Sequence, residues 1–143
     1  MKGLSTLIRY HGQLLDEKRR ALAELQGLAD RLRQQLVDLG EEMKREQAVA
    51  GTSVESSMTY HNYAVVLIER RENLEKMIAD VDQQIVAATN EVADAFQELK
   101  KYEIAKANRD KRAEEEANRR EQTEFDEMGL SIYRRRESGT GLG

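Results

Sequence analysis

Side chains able to attack, ligate or shuttle protons are scarce in this chain of 143 residues, which has two histidines, His11 and His61, and no cysteine. A Cys/His metal centre needs three or four convergent ligands. No set of that kind can be assembled from these residues. Without thiols there is neither a cysteine nucleophile nor a disulfide, and a reducing compartment is the default expectation. No GxGxxG or GxxxxGK[ST] segment is present, so no phosphate-cradling loop is expected. The carboxylate pairs Glu41-Glu42 and Glu114–Glu116 read as solvated helix faces. The expectation is a protein with no catalytic residue, no cofactor and no metal. What remains is the chemistry of recognition, in two places. Residues 58–68 are apolar nearly all round, with Tyr60, Tyr63 and Leu67 at i, i+3, i+7 spacing. Near the C-terminus Phe125, Met128, Leu130, Ile132 and Tyr133 precede Arg134-Arg135-Arg136. Packing near a turn would explain the first group, and a partner surface would explain either, since aromatics and aliphatics together mark interfaces.

The elements that position these groups follow from periodicity. Alternating steps of four and three give Leu4, Ile8, His11, Leu15, Lys18, Leu22, Leu25, Ala29, Leu32, Leu36, Leu39, Met43, Glu46 and Ala50, of which 11 of 14 are apolar. A repeat averaging 3.5 residues over several heptads is a coiled-coil seam, and it requires a partner helix. A second series supplies one: Ala64, Leu67, Arg71, Leu74, Ile78, Val81, Ile85, Ala88, Val92, Ala95, Leu99 and Tyr102. Between them lies Gly51-Thr52-Ser53-Val54-Glu55-Ser56-Ser57. There Gly51 could end a helix in the left-handed conformation, and Thr52 with Glu55 could form a capping box. The stripes match in length about that turn, which sets Leu4 roughly opposite Tyr102. The absence of proline leaves long helices unbroken.

The predicted fold is all-α: a long antiparallel two-helix coiled-coil hairpin in a single domain, 1–143. Helix 1 spans about 4–50, the turn about 51–57, a longer helix 2 about 58–136 and a disordered tail 137–143. Residues 105–127 are dense in charge, with i,i+4 pairs such as Arg112–Glu116 and Arg120–Glu124. They should overhang the hairpin as a single solvated helix.

Charge and hydropathy narrow the function classes. The formal net charge of −4 comes from 23 basic and 27 acidic residues, heavily interleaved. A nucleic-acid binder would carry a basic stripe, so no nucleic-acid partner is expected. No apolar run is long enough to span a membrane, and the N-terminus lacks a signal-peptide core. The location expected is cytoplasmic.

Some residues exceed what a hairpin requires. Lys18, Glu46 and Arg71 interrupt the seams, either fixing register or snorkelling with their charges in water. Gly12, Gly27 and Gly40 lie within helix 1, where local flexibility or a close approach could explain them. Leu7, Leu14, Ala21 and Leu28 form an extra row beside the seam, as flank packing or as a docking face.

Taken together, the size, the longer second helix, the glycine in the turn and the element Tyr60-His61-Asn62-Tyr63-Ala64-Val65-Val66-Leu67 resemble the FliJ family of flagellar type III export proteins. The ending Glu124-Phe125-Asp126-Glu127 and Tyr133-Arg134-Arg135-Arg136 is similar to that family's acidic-then-basic C-terminus. The resemblance implies a stalk-like protein. Its open end, roughly residues 1–14 and 105–136, would enter the pore of the hexameric export ATPase and stimulate it. It would also contact the cytoplasmic domain of the export gate and hand on export chaperones, peripheral to the inner membrane through that apparatus and not inserted in it. By position the resemblance assigns gate binding to Tyr60, Tyr63, Leu67 and Leu36. Gly40 and Arg33 depart from the pattern, standing where an aromatic and an apolar residue would complete the patch. ATPase binding is assigned to Leu7, Phe125, Met128, Tyr133, Arg134 and Arg135. The free protein is expected to be a monomer. Two other readings share the physics: the stalk protein of a virulence-type secretion system, and a structural coiled coil that self-associates through the Leu7/Leu14/Leu28 row.

Overall fold

A computed structural model describes residues 2–52 and 54–140, and among them it contains two helices and no strand. Helix α1 spans Lys2–Ala50 and α2 spans Val54–Thr140. The all-α fold with a longer second helix is therefore as the periodicity requires. Helix 2 begins at Val54, earlier than about residue 58, and residues 137–140 of the expected tail continue it. The last three residues of that tail, and Ser53 in the turn, lie outside the described residues.

The chain divides into two compact units, Tyr10–Leu99 and the combination of Met1–Arg9 with Lys100–Gly143. In the first, α1 and α2 run antiparallel. Ala29, Leu32 and Val81 are buried together, with Leu28, Leu74, Ile78 and Ile85 packed around them. All fourteen helix-1 seam positions are buried or half-buried, and of the twelve in helix 2 only Arg71 is exposed. Such a strip, one or two side chains wide, gives each helix its tertiary stabilisation. Leu28 belongs to this packing, so the row beside the seam is at least in part flank packing.

Lys18 in the seam and Arg33 beside it both carry their charged heads to the surface, across to α2. Lys18 is half-buried while its Nζ reaches Glu91 Oε2 at 3.1 Å. Arg33 Nη2 lies 2.8 Å from both carboxylate oxygens of Asp82. Snorkelling explains Lys18.

The turn is made differently from its sequence signals. Gly51 does not adopt a positive φ. Instead Thr52 bonds back to the carbonyl of Val49, through its amide N–H at 3.1 Å and its hydroxyl at 2.7 Å. An i→i−3 bond tightens the last turn and satisfies a helix-end carbonyl without a left-handed residue. Ser57 Oγ on α2 donates to the Ala50 carbonyl at 2.7 Å, so the second helix helps to cap the first. Thr52 thus caps the end of α1, where a capping box would have served the start of α2.

In the other unit, Leu4 and Ile8 of α1 are half-buried, as are Tyr102, Glu103, Lys106 and Arg109 of α2. Cover runs past Tyr102, where the apolar series stops, because lysine and arginine stems can carry a seam further. From residue 110 to 139 every residue of α2 is exposed.

Candidate functional site

Two surfaces are built from the recognition residues, one in each unit. The first is the turn-proximal part of the Tyr10–Leu99 unit. Helical spacing puts Tyr60, Tyr63 and Leu67 on the side of α2 that faces α1, and their environments then diverge. Leu67 is 0% exposed and is the largest side chain wholly enclosed. Tyr63 is half-buried and its hydroxyl donates to Glu42 Oε1 across the helix pair. That bond raises the Tyr63 pKa above its ordinary value; burial and the negative charges of Glu42 and Glu46 push the same way, and Arg70 opposes them. Leu36 and Tyr60 are half-buried.

Tyr60 and Tyr63 line a shallow open groove with Glu46, Val49, Ala50, Glu55 and Thr59. Two tyrosine rings, two aliphatics and two carboxylates make a surface for a basic or apolar segment of another protein, and a poor one for an anion. On the outward side of α2, Val54, Met58, Val65 and Ile68 are exposed at helical spacing. The sequence shows residues 58–68 to be apolar nearly all round, but its Ser/Thr/Gly cluster assigns Val54 to the turn, and the structure adds Val54 to this face. The Glu42–Tyr63 bond has a sequence signal too: a hairpin centred near residue 53 places the two almost opposite each other.

Of the gate-assigned residues, the fold brings Tyr60 and Tyr63 to one groove and encloses Leu67 beneath them. Leu67 can therefore act there only by positioning the helices. Arg33 is committed to Asp82. At Gly40 a Cβ would meet nothing within 4 Å.

The second surface belongs wholly to the other unit. Phe125 and Met128 are 74% and 65% exposed, and Leu130, Ile132 and Tyr133 are also open to solvent. Arg134 and Arg135 sit on the turn that comes next, with Tyr133 Oη donating to Glu137 Oε1 at 3.1 Å. Leu7, 40% exposed, sits on α1. Phe125 lies about 16 residues beyond Arg109, the last covered position of α2, or roughly 24 Å at 1.5 Å per residue. The fold groups Phe125, Met128, Tyr133, Arg134 and Arg135 on one bare helix, and it does not bring Leu7 to them.

Among the described residues no group of three or more His, Cys, Asp or Glu side chains could hold a metal ion, and no helix is long and apolar enough to cross a membrane. Both surfaces are equipped for protein contact. The family model of the flagellar FliJ protein matches residues 1–138. Neither a curated protein nor a solved structure matches the chain.

Proposed function

The chain belongs to the flagellar FliJ family and so to the flagellar export apparatus, and within that apparatus we propose that it works as a stalk that binds and stimulates the hexameric export ATPase without hydrolysing anything itself. The observation that carries this reading is the bare helix 110–139, continuous and exposed throughout, with Phe125 and Met128 open to solvent beside a run of arginines. A protein on its own gains nothing in stability from such a segment, because apolar side chains there stay hydrated. They acquire a use when a larger body encloses them, and a ring pore is such a body. The groove at Tyr60 and Tyr63 is the proposed contact for the cytoplasmic domain of the export gate. Chaperone hand-over and a peripheral location at the inner membrane follow from the same reading.

Removing residues 120–143 tests it. Stimulation of the export ATPase should disappear while the helicity and unfolding midpoint of the Tyr10–Leu99 unit stay unchanged. Persisting stimulation would remove the C-terminal helix from the ATPase contact. For the gate, Tyr60→Ala is the cleaner probe, because Leu67→Ala disturbs packing first. Gate binding should fall with helicity retained, and unaltered binding would reject the groove.

A further inference from the structure

The C-terminal part of α2 is not of one kind along its length. From residue 106 to 124 the sequence sets six opposite-charge pairs at i,i+4 spacing, Lys111–Glu115, Arg112–Glu116 and Glu115–Arg119 among them, against one like-charged pair, Asp110–Glu114. In the structure Arg120 Nη2 lies 2.7 Å from Glu116 Oε1. Pairs at this spacing support a helix that has no other cover. Between the charges stand Ala107, Ala113 and Ala117, the residue type with the highest helix propensity. From residue 125 to 139 no opposite charges stand four apart. Gly129 and Gly139, Ser131 and Ser138, and the β-branched Ile132 fall here instead, and each lowers helix propensity. Glu121, Glu124 and Glu127 follow one another at i,i+3 and repel across the boundary. Every residue from 110 to 139 is exposed, so packing helps neither stretch and local energetics decide how often each is helical.

We infer that residues 106–124 form a self-supporting arm, helical in the free chain, and that residues 125–139 are a conditional extension of it, helical only part of the time until a partner encloses them. The continuous helix to Thr140 is the completed state. Starting a helix is the costly step, and adding residues to an existing end is easy. The arm therefore serves as the nucleus from which the extension grows. Phe125 and Met128 stand exposed on the first turn beyond the arm, where a partner meets them before the rest has ordered. Ile132, Tyr133 and Arg134-Arg135-Arg136 take their helical places only as the extension forms. Enclosure thus proceeds outward from the boundary, and the ordering it requires offsets part of the contact energy and keeps the contact reversible. If the ATPase reading holds, this ordering takes place in the pore. The arm and its extension need no ATPase to exist.

Backbone carbon chemical shifts of the full chain, read residue by residue, test the division. Helix population should exceed about three quarters from 110 to 124 and fall below about half beyond Gly129. Salt at about 1 M, where the screening length is about 3 Å, should lower the arm's helix population by about a fifth or more and leave the Tyr10–Leu99 unit as it was. The triple variant E114Q/E115Q/E116Q should cause a similar loss at low salt, because glutamine matches glutamate in propensity and lacks its charge. Its arm should also respond less to salt. Ser131→Lys gives Glu127 a partner at i,i+4 and should raise the population from 127 to 135. A population uniform from 110 to 139, high or low, overturns the inference. So does an arm indifferent to both salt and the triple variant, or an extension unmoved by Ser131→Lys. None of these measurements involves the ATPase, so the inference and the stalk reading fail separately.

Discussion

Helix α2 contains two stretches of nearly equal backbone regularity and opposite circumstances. From Tyr60 to Arg109 one side of it is covered by α1, and Leu67, Val81, Ala88 and Ala95 are buried. From residue 110 to 139 nothing covers it. Apolar residues occur in both stretches, but only in the first do they repeat every three or four residues for many turns. Burial follows from that repeat, because one isolated cluster cannot hold a partner helix in place. The comparison separates two uses of a leucine or phenylalanine: in the covered stretch it sustains the fold, and in the bare stretch it is available to something else.

Substitution at one residue from each stretch gives the largest expected contrast. Leu67→Ala removes a wholly enclosed side chain and should lower the unfolding free energy by about 2–5 kcal/mol. Phe125→Ala should change it by less than about 0.5 kcal/mol. Urea titrations followed by circular dichroism measure both. Equal effects would mean that the bare stretch is packed after all.

Glycine replacements sharpen the same contrast. Neither Gly40 in α1 nor Gly129 in bare α2 has a neighbour that a Cβ would strike, and Gly costs up to about 1 kcal/mol relative to Ala within a helix. Gly40→Ala should raise the unfolding midpoint by an amount equivalent to roughly 0.5–1 kcal/mol. Gly129→Ala should add helicity on its own segment and leave that midpoint where it was. A stabilised midpoint in Gly129→Ala would show that the two stretches melt together.

Smaller still is the cross-helix pair. Arg33 meets Asp82 through two bonds of 2.8 Å, but both side chains are about half exposed. Exposed pairs are worth about 0–1 kcal/mol. A double-mutant cycle on Arg33→Ala and Asp82→Ala should return a coupling below about 1 kcal/mol that shrinks as salt is added.

Much of the fold is legible in the sequence because coiled-coil seams are written in spacing. Leu4 to Ala50 and Ala64 to Tyr102 identify the inward faces with one exposed member, Arg71. The turn is not legible in detail. Gly51, Thr52 and Glu55 suit a left-handed stop and a capping box, but Thr52 and Ser57 satisfy the end of α1 by side-chain bonds. Several solutions to the same orphan carbonyls differ little in energy. The extent of cover escapes the apolar pattern for a related reason: Lys106 and Arg109 do not look like seam residues, although their stems can act as one. At the candidate sites, spacing places Tyr63 and Leu67 on one helix side but cannot rank their exposure. Position 67 sits at the centre of the strip and position 63 at its margin, within reach of Glu42.

Tyr63 offers the finest test of the covered stretch. Its phenol donates to Glu42, and that bond, with burial and nearby negative charge, raises its folded pKa above the value of about 10 expected in the unfolded chain. A raised folded value means that the folded state holds this proton more tightly. The stability contributed is therefore complete below pH about 10 and is lost as pH rises through the folded value. Tyrosinate absorbance of the intact chain minus that of Tyr63→Phe isolates this ionisation, which should occur on the alkaline side of the ordinary phenol. The two proteins should differ slightly in midpoint at neutral pH and converge in strong alkali. A phenol at position 63 that titrates like a free tyrosine would mean that Glu42 does not hold it, leaving the groove with a mobile ring where the proposed gate contact needs a fixed one.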